Sequence, residues 1–170
     1  MKDYRYCPIC GEPLNLVPAG GRLRQTCACG WTNWRNPAPA AAVALLRGGE
    51  LLWVRRAGEP RRGQWSLPSG FLEWEEDIRY CARRELREET GLEARLGRLL
   101  GVYSAFDDPR GNALLVVYQG EPTGGEERAG DDAGELGWFP LDEPPAPIAW
   151  EPHRRALADL QRRLAAAGGD

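Results

Sequence analysis

Three glutamates, Glu85, Glu88 and Glu89, lie in a segment able to hold them rigidly. From Asp77 to Thr90 the chain has no Gly or Pro and is rich in Arg, Glu, Leu and Ala, which predicts a helix. Asp77 suits its start, as a cap or through the helix dipole, and Gly91 suits its end. On a wheel of about 100° per residue, Ile78, Cys81, Ala82 and Leu86 make one apolar stripe, and Arg79, Arg83 and Arg87 the opposite, solvated ridge. Glu85 and Glu89 fall within about 20° of the Ile78 direction and continue the buried face, with Glu88 flanking them. A helix rich in Glu and Arg is ordinarily a solvated face laced with i,i+4 pairs. Two carboxylates one turn apart on the inward side instead repel each other, lose hydration and require a compensating charge. No lysine or histidine lies nearby in the chain to supply it. A divalent cation would, since Mg²⁺ or Mn²⁺ prefers carboxylate oxygens and retains waters that can meet a phosphate.

A second constellation comes earlier. Cys7-Pro-Ile-Cys10-Gly and Cys27-Ala-Cys29-Gly are separated by 16 residues. A C-x2-C-G turn aims two thiolates at one point, and a second pair can close a tetrahedral Zn²⁺ site, structural because all four ligands come from the protein. Thr26 stands where a repeated C-x2-C would put a cysteine, so the second pair needs an altered turn. Four reduced, unligated cysteines are the alternative. Residues 1–36 are expected to form this unit, with Pro37 and Pro39 as the hinge to residues 37–170. Trp31 and Trp34 in it are suited to packing a small ribbon or to stacking on a base.

The segment from Gly70 to Leu92 resembles the Nudix box, G-x5-E-x7-R-E-U-x-E-E-x-G-U, with U aliphatic. Gly70, Glu76, Arg84, Glu85, Leu86, Glu88, Glu89, Gly91 and Leu92 fill every specified position. Chance would match the fixed letters about once in ten million windows, so the resemblance is specific for family, though it says little of substrate. It implies an α/β/α sandwich around a mixed β-sheet, hydrolysing a nucleoside diphosphate linked to another moiety with Mg²⁺ or Mn²⁺. It also implies roles: Glu85, Glu88 and Glu89 as catalytic and metal-holding residues, and Gly70 as a further metal ligand. Glu76 and Arg84 pair behind them, and Asp132 or Glu135 brings a further acid. An N-terminal ribbon followed by Asn36-Pro37-x-Pro39 and this box is similar to the subgroup of NADH, FAD and ADP-ribose pyrophosphatases. The Ser-Gln-Pro-Trp-Pro-Phe-Pro-x-Ser signature of the NADH enzymes is not in this chain, which lowers NADH as preferred substrate.

The elements around the box follow from local pattern. Ala40–Leu46 and Leu51–Arg55 read as strands about the Gly48-Gly49 turn, and residues 56–63 as a polar loop whose Arg61 and Arg62 are solvated or touch phosphate. Residues 96–106, 113–119 and 136–139 read as strands, and residues 121–134 as an acidic, Gly-rich loop. A helix over about 152–166 is expected to pack through Ala156, Leu157, Leu160 and Leu164, with His153 as its polar start.

Composition excludes several classes. The net charge of −3 argues against a general nucleic-acid binder. The ribbon, with five Arg or Lys against two Asp or Glu, is only modestly basic. The longest apolar run, Ala38–Leu46, is far short of the roughly 20 residues that span a membrane, and no signal-peptide core opens the chain. Five cysteines suit a reducing compartment, so the expected location is cytoplasmic. There is no P-loop, and a lone histidine leaves Ser-His or Cys-His catalysis unsupported. The expected partner is a nucleotide-type small molecule, and the resemblance allows a homodimer. The rivals are a (d)NTP pyrophosphatase and a non-catalytic nucleotide sensor or RNA-binding regulator.

Overall fold

Strand β3 (Ala38–Arg47) is apolar without alternation, the pattern of a strand covered on both faces. In the computed structural model, which describes residues 4–167, it is the central strand. The chain divides between Pro37 and Ala38 into two compact units. The first carries the hairpin β1 (Asn15–Ala19) and β2 (Arg22–Thr26), joined through Gly20 and Gly21 in positive φ.

The second unit is a mixed sheet between two helices. Its elements are β3, β4 (Glu50–Arg56), β5 (Trp65–Ser66), β6 (Ser69–Phe71), α1 (Ile78–Thr90), β7 (Leu92–Ala105), β8 (Ala113–Gly125), β9 (Ala133–Pro140) and α2 (Glu151–Ala167). The strand order is β5-β4-β3-β8-β7, with β6 also on β3 and β9 also on β4. Strand β3 runs parallel to β8 and antiparallel to β6, so the sheet is mixed. The Gly48-Gly49 turn joins β3 to β4 as a two-residue hairpin, both glycines in positive φ.

Alternation along β3 divides the core. Ala40, Ala42 and Ala44 face Trp53, Tyr103, Leu115 and the α2 residues Ala156, Leu157 and Leu160. Ala41, Val43 and Leu45 face Leu52, Tyr118 and the α1 residues Cys81, Ala82 and Leu86. The unit is therefore the α/β/α sandwich expected of the sequence. The acidic stretch begins later than expected, because β8 extends to Gly125 and stays paired with β7.

Both ends of α1 are set by the residues singled out in the sequence. Asp77 accepts from the amides of Arg79 at 2.9 Å and Tyr80 at 3.2 Å. Gly91, at φ 71°, donates its N–H to Arg87 O in a left-handed cap. Leu86 is wholly buried between α1 and the sheet. Truncating it in Leu86→Ala is expected to cost about 2–5 kcal/mol in chemical denaturation. A loss below about 1 kcal/mol would mean that α1 is not docked through this face.

Candidate functional site

Helix α1 presents the three glutamates at different depths. Glu89 is buried at 4% exposure, Glu85 is largely covered, and Glu88 is on the surface. Strand β6 supplies the facing wall. The Ser69 amide donates to Glu89 Oε2 at 2.9 Å. Gly70 is where the wall approaches closest: a Cβ there would lie 2.1 Å from Glu85 Cδ, so only glycine leaves room for that carboxylate.

Arg84 holds the cluster together. Its Nε and Nη2 reach Glu76 at 2.7 and 2.9 Å, and its Nη1 reaches Glu85 at 2.7 Å and Glu88 at 2.9 Å. Nη2 also donates to Phe71 O at 3.2 Å, tying the end of β6 to the helix. The Arg84 hydrogen bonds hold the Glu76 carboxyl at about 2. They do not offset burial elsewhere: desolvation pushes Glu85 above its ordinary value and Glu89 well above it. Asp131 adds to the rise at Glu85 and Asp132 to that at Glu89. The site thus holds more carboxylates than guanidinium can neutralise, and oxygen donors of this kind suit Mg²⁺ or Mn²⁺. Gly70 has only its carbonyl to offer as a further ligand.

The two acids proposed as supplementary separate. The loop after β8 is pinned to the end of α1 by Arg128 N to Thr90 O at 2.9 Å and Gly130 N to Glu89 O at 3.0 Å. That puts Asp131 and Asp132 close enough to act on the box glutamates, with Asp132 also 3.6 Å from Arg56. Glu135 lies on β9 opposite Arg55 of β4 and pairs with it at 3.0 Å in a solvated position. The sequence reading did not single out Asp131.

A cavity of about 80 Å³ adjoins Ser69 and Gly70 on the α2 side of the sheet. Arg56, Phe71, Arg110, Trp150 and His153 line it, drawn from separate elements, and no local pattern in the sequence gathers them. His153 was expected as the polar start of this helix and does lie in its first turn. The side chain is only 3% exposed, because Trp150 and Pro152 bring the first turn of α2 against the sheet. Its Nδ1 accepts the Leu67 N–H at 3.0 Å, and burial lowers its pKa to about 3. Arg61 spends its guanidinium on Asp107 O, at 3.1 Å, and on the Trp150 ring, at 4.8 Å.

In the first unit, Cys7, Cys10, Cys27 and Cys29 bring their sulfurs within 4.8 Å of one another, so the shortened second pair still joins the first. Among the described residues only these four gather so tightly; in the glutamate cluster Arg84 stands between Glu85 and Glu88. Burial raises the Cys7 thiol, but the Cys10 and Ile9 amides outweigh it and bring it to about 7. The Cys29 amide lowers Cys27, yet burial and the neighbouring thiols drive it to about 12. Four sulfurs gathered this closely offer the ligand set of a tetrahedral cation, which on binding displaces the thiol protons. Trp31 packs edge-on against Tyr4, whereas Trp34 is half-exposed beneath the Arg24 guanidinium.

The sandwich, the filled box and the acids around Arg84 define a class, and the family profile for the NUDIX domain matches residues 36–160. The chain belongs to the Nudix family and is a hydrolase of that family. It is 38% identical to an ADP-ribose pyrophosphatase of Methanocaldococcus jannaschii over 75% of each chain. It is 30% identical to an NAD-capped RNA hydrolase, NudC, of Stutzerimonas stutzeri over 96% of this chain, spanning 59% of that protein. A NUDIX hydrolase structure from Nitrosomonas europaea superposes with a TM-score of 0.80 over 95% of this chain and 93% of its own, at 25% identity.

The buried Glu89 makes stability depend on pH. Unfolded, it releases its proton in the ordinary carboxylate range; folded, it holds the proton to higher pH. The stabilisation is therefore full at low pH and is lost as pH rises from that range through the folded value. Without divalent cation, stability should fall toward neutral pH. Glu89→Gln, which keeps an acceptor for the Ser69 amide, should flatten that slope. Denaturation across a pH series in chelator measures it, and equal slopes in both proteins would remove Glu89 as the cause.

Proposed function

We propose that the protein hydrolyses the pyrophosphate bond of a nucleoside diphosphate linked to another moiety, such as ADP-ribose, FAD or an NADH-like dinucleotide, releasing a nucleoside monophosphate. One observation carries this reading: buried and half-buried carboxylates of one helix crowd against a glycine that leaves room for them, around a single arginine. Glu85, Glu88 and Glu89, with the Gly70 carbonyl, would hold Mg²⁺ or Mn²⁺. When bound, such an ion neutralises the diphosphate and activates water for in-line attack.

The remaining work falls to side chains. One box glutamate takes the proton of the attacking water, and the raised affinity of Glu85 and Glu89 for protons suits that duty. Glu76 holds Arg84, and through it the carboxylates, in register with β6. Asp132 and Asp131 add negative charge from the opposite side. The archaeal relative favours ADP-ribose among the linked nucleotides. The cysteine quartet is read as a structural Zn²⁺ ribbon. All five cysteines are unpaired, in keeping with a reducing cytoplasm.

Product analysis by HPLC tests the reaction on ADP-ribose, NADH, FAD, a nucleotide sugar and the dNTPs, with Mg²⁺ or Mn²⁺. AMP should appear from a linked substrate, and Glu85→Gln, Glu88→Gln and Glu89→Gln should each slow it about 100-fold or more. Turnover of dNTPs alone would move the protein to the (d)NTP class, and no turnover would leave a nucleotide-sensing role.

Elemental analysis tests the ribbon separately. One zinc per chain is expected in the purified protein and should be lost from Cys27→Ser. A zinc-free wild type, purified without chelator, would leave four plain thiols.

A further inference from the structure

We infer that the groove beside β2 in the first unit takes single-stranded nucleic acid, with the Arg22, Arg24 and Arg35 guanidiniums on its phosphates and Trp34 stacked on a base. The inference goes beyond the proposed reaction and does not depend on it.

Charge is the first observation. The net charge of −3 conceals a division between the two units. Residues 1–37 carry five Arg or Lys against two Asp or Glu, a balance of +3. That leaves 17 against 23 in residues 38–170, a balance of −6. Three of the five cations of the first unit, Arg22, Arg24 and Arg35, line one groove of about 360 Å³, and among the described residues no carboxylate lines it. Guanidiniums gathered round one groove suit an anion, and the repeated phosphates of a strand meet several at once.

The groove is held in shape by its own hydrogen bonds. The Asn33 amide donates to Gln25 O at 2.9 Å and Asn33 Nδ2 to Gln25 Oε1 at 3.0 Å, which lays the segment after the second cysteine pair along β2. Arg24 donates through Nε to Ala19 O at 3.1 Å and through Nη1 to Trp34 O at 2.7 Å, and its guanidinium lies over the Trp34 ring at 4.9 Å. Cation and ring are thus presented together, yet Trp34 remains 52% exposed. Arg22 is exposed, and its side chain has no partner among the described residues. Leu16 and Leu23, also on the lining, are exposed as well. An aromatic ring and apolar side chains at a cationic groove select the ligand. Unpaired bases stack on them while the backbone meets the arginines. A duplex keeps its bases stacked inside, and a plain polyanion has no ring to offer.

Fluorescence anisotropy on the whole protein tests the groove, with a labelled single-stranded oligoadenylate bearing a 5′-hydroxyl and no Mg²⁺ or Mn²⁺ added. That probe has no pyrophosphate bond, so the result stands apart from the hydrolysis. It should bind about fivefold or more tightly than its duplex with oligouridylate or than inorganic polyphosphate. The slope of log affinity against log salt should be about −2, from about 0.7 per phosphate met by three arginines. Trp34→Ala should weaken the strand about fivefold or more and leave polyphosphate unchanged, whereas Arg22→Glu should weaken both. Arg22→Glu alters an exposed side chain without a partner, so it reads the groove even where Trp34→Ala fails to fold. Equal affinity for duplex or polyphosphate, or a strand affinity unchanged in Arg22→Glu, overturns the inference. Absence of binding at low salt overturns it too, and if Arg22→Glu then dissociates a dimer in sedimentation, the groove belongs to a second copy of the chain.

Discussion

The guanidinium of Arg84 is the interaction on which the site depends. It binds Glu76 in the loop before α1 and Glu85 and Glu88 on α1 itself, so one side chain joins loop, helix and the carbonyl of Phe71. Charge-assisted, two-pronged hydrogen bonds of this kind restrain both distance and angle. Without it, neighbouring carboxylates would repel on a face that water does not fully reach. With it, Glu85 stays against Gly70 and Glu89 against the Ser69 amide. Electrostatic balance is still incomplete, and that imbalance suits the site to a cation.

The scaffold supplies rigidity from two directions. Strand β6 is short, but it pairs with central β3 and is held at the positions facing the glutamates, Ala41 with Gly70 and Ala42 with Ser69. Helix α1 is fixed at its start by Asp77 and at its end by Gly91, and the loop after β8 is tied to its last turn. On the other side of the sheet, Asp107 from the β7–β8 connection accepts the Glu151 amide at 2.9 Å and so anchors the start of α2. That anchor brings Trp150 and His153 to the cavity. Site and cavity share Ser69 and Gly70, so a ligand lying across them would touch elements from both layers.

Much of this was legible in the chain because it is local. The period of α1, its capping residues and the inward direction of Glu85 and Glu89 follow from spacings within one turn, and the Glu76–Arg84 pairing was implied by the family resemblance. The cysteine quartet was legible for a similar reason, since each pair occupies a single turn. Arg84 shows where such reading stops. A pairing with Glu76 was expected, but its further bonds to Glu85 and Glu88 depend on rotamers settled by packing. The choice between Asp132 and Glu135 was likewise open, because strand alternation turns Glu135 toward Arg55 only once β9 is registered on β4.

His153 is the clearest case of a residue whose surroundings its sequence context does not reveal. Beside Glu151 and Pro152 it reads as the polar start of a helix, and the local pattern does not show that α2 docks through that first turn and makes the imidazole part of a cavity wall. By itself the sequence determined the helix, its ends, the family and the glutamates of the box, because those depend on residues close along the chain. The tertiary structure alone decided which acids face one another, that the His153 Nδ1 accepts the Leu67 amide, and that Arg56, Phe71, Arg110 and Trp150 share one cavity. Those outcomes depend on contacts between elements tens of residues apart, whose register is set only when the two faces of the sheet are buried together.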